Sequence, residues 1–140
     1  MSKEKKVPKK YRKPIDYFRD FHEWPKDWVG VDEDLAIGNA LLTLFTPFVE
    51  SLIENGLAVK TIKNHMGNLG VLGSEIIRRL NDSDEENRKL LPRKLLLEYI
   101  DDQHGPLVHH WDPNDSTEEG YLKAFDSTCR KLFKFTSASN

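Results

Sequence analysis

Two apolar stripes with helical spacing, joined by a single glycine turn, constrain this chain more than any other feature. Over residues 37–55 the positions Ile37, Leu41, Leu44, Phe48 and Leu52 recur every three or four residues, flanked by Ala40, Phe45, Val49 and Ile53. That is the pattern of one helix face turned toward a core. Asn55 and Gly56 close the run, with Gly56 standing where a left-handed C-cap residue belongs. Pro47 removes one internal hydrogen bond, so the helix is expected either to kink there or to begin near it. A second stripe, Ile62, Met66, Leu69, Leu72, Ile76 and Leu80, predicts a helix over residues 60–80. Because it follows the Gly56-Leu57 turn directly, the two helices must fold back as a hairpin.

Two further helices complete the pattern. Pro92 suits a first helical turn, and Leu95, Leu96, Tyr99 and Ile100 give a helix over residues 92–101 its apolar face. Ser116 or Thr117 can cap a last helix over residues 117–135, in which Leu122, Phe125, Cys129, Leu132 and Phe133 face inward. Residues 81–87 are polar and read as a connection or as the acidic first turn of a short element. The aromatic residues Tyr17, Phe18, Phe21, Trp24 and Trp28 carry enough apolar area to fasten their segment onto a core. No segment alternates apolar and polar residues over a strand's length. The expected fold is therefore all-α, with four main helices including a central hairpin. At 140 residues one core is the natural outcome, so residues 14–140 read as a single helical domain and residues 1–13 as a basic flexible tail.

Charge sets the tail apart. Lys3, Lys5, Lys6, Lys9, Lys10, Arg12 and Lys13 face only Glu4 before residue 14, a net charge near +6, while the whole chain is at -2 and the rest therefore near -8. A basic arm on an acidic body can reach for nucleic acid or an acidic partner, or serve as a solvated tag. The single cysteine, Cys129, excludes an internal disulfide, a zinc ribbon and a CxxC redox site, and reads as a buried thiol beside Phe125 and Phe133. Without an uninterrupted apolar run for a membrane span or a signal peptide, the expected location is cytoplasmic, with no membrane partner. Phosphate-cradling glycine loops, GxSxG and HExxH are absent, and the paired acids are adjacent in sequence rather than placed across a cleft. The chain is thus read as more an interaction module than an enzyme, with no catalytic residue and no cofactor assigned.

The hairpin residues carry one resemblance. Leu44, Phe45, Phe48, Val49 and Leu52, then Gly56, Leu57, Thr61, Ile62 and Leu69, resemble the core-binding domain of tyrosine recombinases, the helical N-terminal clamp of phage-type integrases, over roughly residues 35–80. Ala58 stands where that family usually has a capping serine, and His65 where it often has a tyrosine. The resemblance implies a grip on duplex DNA, with Lys60, Thr61, Lys63 and Asn64 as the matching polar positions. Lys9, Lys10 and Arg12 of the tail would add phosphate contacts. Cleavage is not implied. The family's His-x-x-Arg motif is missing after every one of the five histidines, and the residues after the hairpin are too few for a catalytic domain.

The same residues leave other readings open. His104, His109, His110 and Trp111 could line the site of a small-ligand-binding protein or an enzyme in the loop of residues 104–112, although they lack the spacing that aims two rings at one metal. Trp24, Trp28 and Trp111 could form a face for a protein partner, and a glycine-faced hairpin could complete its core in a homodimer. Gly67, Gly70 and Gly73 each cost the second helix about 1 kcal/mol against alanine. They are expected to admit a neighbouring helix such as the first or last, to admit a nucleic-acid backbone, or to break the helix.

Overall fold

A computed structural model describes residues 11–108 and 118–138 and shows, among them, helices and turns without a strand. Lys9, Lys10, His109, His110, Trp111 and the expected caps Ser116 and Thr117 lie outside the described residues. The elements are α1 (Pro14–Tyr17), a 3-10 turn (Phe21–Glu23), α2 (Trp24–Trp28), α3 (Asp34–Glu54), α4 (Val59–Asp82), a second 3-10 turn (Glu85–Lys89), α5 (Pro92–Tyr99) and α6 (Glu118–Ala138). The four expected helices are α3 to α6. The expected helix over residues 92–101 stops at Tyr99, and the last helix continues beyond residue 135 to Ala138.

The hairpin forms as its glycine demands. Gly56 adopts φ +76, its amide bonds the Ile53 carbonyl at 3.0 Å, and the Leu57 amide reaches back to Leu52 at 3.3 Å, which satisfies the last carbonyls of α3. Helix α3 passes through Pro47 as one helix, with Pro47 on its exposed side. By length and composition α3 is apolar enough to cross a bilayer. In the fold it is the central core element, burying Leu41, Phe45, Phe48, Val49 and Leu52.

Helix α3 begins three residues before the predicted start because Asp34 acts on the chain that precedes it. Its Oδ2 accepts the amides of Gly30 at 2.8 Å and Val31 at 2.9 Å, and the side-chain amide of Asn81 at 2.8 Å. Arg88 Nη1 stands 2.9 Å from Oδ1, and the Arg88 guanidinium also donates to Asn81 Oδ1. Asp34 is fully buried. Burial raises its pKa, but the hydrogen bonds from Asn81, Val31, Gly30 and Arg88 outweigh this and hold the carboxyl below its usual range. One carboxylate thus joins the start of α3, the end of α4 and the second 3-10 turn.

The aromatic segment is helical in two pieces too short for periodicity to reveal. Phe21 and Trp24 meet edge to face at 4.9 Å, and Trp28 meets Phe45 of α3 at 6.2 Å. The Trp28 indole lies directly on Gly73, and the Trp24 indole comes within 3.8 Å of where a Gly70 Cβ would stand. The glycines of α4 therefore admit tryptophans from α2 rather than the first or last main helix, and α4 runs unbroken. Gly67 differs, since a Cβ there would meet nothing within 4 Å.

Helix α6 runs antiparallel along α4. His65 Nδ1 is 2.7 Å from Thr128 Oγ1, and the Asn68 side-chain amide donates to Thr128 Oγ1 at 2.9 Å and to the Ala124 carbonyl at 3.3 Å. Phe48 and Phe135 close the other flank at 5.7 Å, while Arg93 of α5 donates to the Thr136 carbonyl at 2.9 Å near the end of α6. Cys129 is fully buried, and Gly105 is packed so closely on it that a Cβ would collide with the sulfur. Burial pushes the thiol pKa far up, which keeps it protonated and unreactive.

Candidate nucleic-acid interface

The α4 start is open because nothing in the sequence closes it. Ala58 takes the extended N-cap conformation but has no side chain to bond the first amides. Lys60, Thr61 and Asn64 are exposed on the first turns, while Ile62 and Met66 point into the core. Lys63 is half-buried because Tyr11 lies beneath it, with the Lys63 ammonium 5.4 Å from the ring centroid.

This contact brings the segment that carries Arg12 and Lys13 to the helix that carries Lys60 and Lys63. Tyr11 rests on Tyr17 at 5.0 Å, so packed structure begins inside the stretch read as a tail. Asp16 Oδ2 accepts the backbone amides of Arg12 at 3.0 Å and Lys13 at 2.9 Å. Those bonds hold the Asp16 carboxyl below its usual range and direct the exposed Arg12 and Lys13 into solvent. Tyr11, Ile15, Asp16, Arg19 and Lys63 border an open recess of about 670 Å³. Neither Lys60 nor Lys63 is ion-paired among the described residues, whereas Arg78, Arg79 and Arg88 are engaged by Glu75, Asp82 and Asp34. The arrangement sets the exposed Lys60 and the Tyr11-stacked Lys63 on the first turns of α4 without an acidic partner among the described residues.

His104 occupies different surroundings. It is exposed, its Nδ1 lies 3.3 Å from the Gly105 carbonyl, and Asp101 Oδ1 accepts the amides of Gln103 and His104 at 2.8 Å each. His104 borders a polar cleft of about 530 Å³ with Arg79, Asp84 and Tyr99. These neighbours are already engaged. The Tyr99 hydroxyl donates to Asp84 at 2.9 Å, and Arg79 bonds Glu75 and the Leu107 carbonyl at 2.8 Å each. Burial pushes the Tyr99 phenol up to about 12, so it stays protonated. Among the described residues no three His, Cys, Asp or Glu side chains are grouped to hold a metal ion.

His65, at the position where the resemblance expects tyrosine, is buried between α4 and α6 and bonded to Thr128. Burial, with the charge of Lys131, lowers its pKa below the ordinary value of about 6.5. The unfolded chain therefore takes up this proton first as pH falls. The imidazole's contribution to stability is fully present above about pH 6.5 and is lost as pH drops through the folded pKa. Denaturant unfolding at stepped pH should show the parent losing more stability between neutral and mildly acid conditions than His65→Gln. Parallel curves for the two would contradict this assignment.

Sequence reasoning missed Tyr11, Arg19 and Asn68 at this end of the molecule. Tyr11 carried no usable signal, because its partners Tyr17 and Lys63 belong to different elements. No family model matches the chain, and neither a curated protein nor a solved structure matches it.

Proposed function

We propose that the chain is a non-catalytic module that binds duplex DNA, gripping phosphates with the first turns of α4 and with the lysine-rich residues that lead into Tyr11. The observation that carries this reading is the stacking of Lys63 on Tyr11 at 5.4 Å. It joins Tyr11, which Arg12 and Lys13 follow in the chain, to the helix whose start carries Lys60, Thr61 and Asn64. The resemblance to recombinase core-binding domains supports the reading in that it implies phosphate contacts at Lys60, Thr61, Lys63 and Asn64. A protein partner or a second copy of the chain would instead use apolar surface; of the three tryptophans considered for that role Trp24 and Trp28 are buried, and Trp111 lies outside the described residues.

Phosphate binding releases counterions, so affinity should fall steeply with salt. Fluorescence anisotropy of a labelled duplex at low and physiological salt, with the protein and with a variant lacking residues 2–10, tests the reading. The expected result is salt-sensitive binding by both, weaker and with a shallower salt slope in the truncated form. No binding by the intact protein even at low salt would overturn it.

A further inference from the structure

We infer that α6 carries a second phosphate-contact surface, formed by Lys131 and Lys134 beside Arg130, so that DNA held at the start of α4 is gripped by two antiparallel helices. The inference rests on the reading that the α4 start binds DNA. Its geometry comes from the pairing of the helices. Asn68 meets Ala124 and Thr128, and His65 meets Thr128, so residues further along α6 lie beside earlier turns of α4. Continuing that register by one turn sets Lys131 next to the turn that carries Thr61 and Asn64. Lys134 follows about 4.5 Å further along the axis. The influence of the Lys131 charge on His65 agrees with this placement.

Lys131 and Lys134 are exposed, and among the described residues neither is ion-paired. With Arg130 and the half-buried Phe133 they border an open groove of about 720 Å³, where Asp102 is the one acid among the described lining residues. Arg130 also donates to the Gln103 carbonyl at 3.1 Å, which holds its guanidinium at the groove edge. A shallow basic groove without an enclosed pocket suits an extended polyanion better than a small anion, which needs surrounding donors to fix it. Packed helices lie about 8–10 Å apart. Exposed lysines on two packed helices can therefore reach phosphates of one duplex.

The test compares salt slopes of binding to a random-sequence duplex for the parent, K131Q/K134Q, K60Q/K63Q and the distant control K94Q. Two lost phosphate contacts should make the K131Q/K134Q slope shallower by about 2, with K60Q/K63Q reduced alike, K94Q unchanged and all thermal melts near the parent's. An unchanged slope for K131Q/K134Q beside a reduced one for K60Q/K63Q overturns the α6 surface and leaves the α4 reading standing. Polyglutamate competing as well as DNA at equal charge would overturn it in favour of an acidic peptide. No binding by the parent overturns both.

Discussion

Asp34→Ala is expected to lower unfolding stability by about 3–5 kcal/mol, because it removes one partner of a buried ion pair and leaves the other without compensation. The Asp34 carboxylate is fully buried and receives Gly30, Val31 and Asn81, with Arg88 at 2.9 Å. Removing it orphans two backbone amides ahead of α3 and strands a guanidinium that is itself mostly covered. Urea unfolding followed by far-UV circular dichroism measures the loss. Asp34→Asn should fall between the parent and alanine, since its carbonyl can still accept an amide. A further Arg88→Met substitution on Asp34→Ala should recover part of the stability by removing the unpaired charge. A cost below about 1 kcal/mol, the level of an exposed ion pair, would mean the carboxylate does not join the three segments as described.

The second large effect comes from one chemical change made twice in one helix. Gly73→Ala puts a Cβ against three atoms of the Trp28 ring, closer than real Cβ atoms approach. Trp28 packs against Gly38 and Phe45 of α3 as well as Gly73 of α4, so overpacking should cost about 1–3 kcal/mol even after the gain in helix propensity. Gly67→Ala adds the same methyl where nothing lies within 4 Å and should stabilise α4 by up to about 1 kcal/mol. Thermal unfolding should therefore move in opposite directions for the two variants. Midpoints that shift the same way would contradict the packing of α2 on α4.

These two sites also show what the sequence could and could not reveal. The hairpin was legible because α3 and α4 each sustain a three-four apolar stripe over many turns, and because Gly56 offers the one left-handed stop between them. The same stripe logic found α5 and α6. It failed at α1 and α2, whose four and five residues are too few to display a period and whose prolines read as breaks although they sit in the first turn. The glycines of α4 pointed to a close approach, but the approaching groups are indoles from α2, and nothing local to Gly73 names Trp28. Asp34 was unreadable for the same reason, since its side-chain partners lie at residues 81 and 88 and become neighbours only once α3 and α4 are paired.

At the candidate interface, Lys60, Thr61, Lys63 and Asn64 were singled out from the hairpin motif, and the structure places Lys60, Thr61 and Asn64 on exposed turns with Lys63 on Tyr11. In the sequence Lys131 and Lys134 stand out only as charges beside Cys129 near a helix C-terminal turn. Their alignment with the α4 start depends on the antiparallel register that His65, Asn68 and Thr128 establish. A pair of unpaired lysines three residues apart on a helix face was the one signal available. It gained meaning only when the neighbouring helix was known.

The most direct measurement of the central claim is an amide NMR titration of the protein with a short DNA duplex at moderate salt. The account predicts shifts concentrated at Tyr11 to Lys13, over residues 59–68 of α4 and over residues 130–134 of α6, with the cleft beside His104 and the outer face of α5 undisturbed. Shifts centred on that cleft or on α5, or none at all, would contradict it.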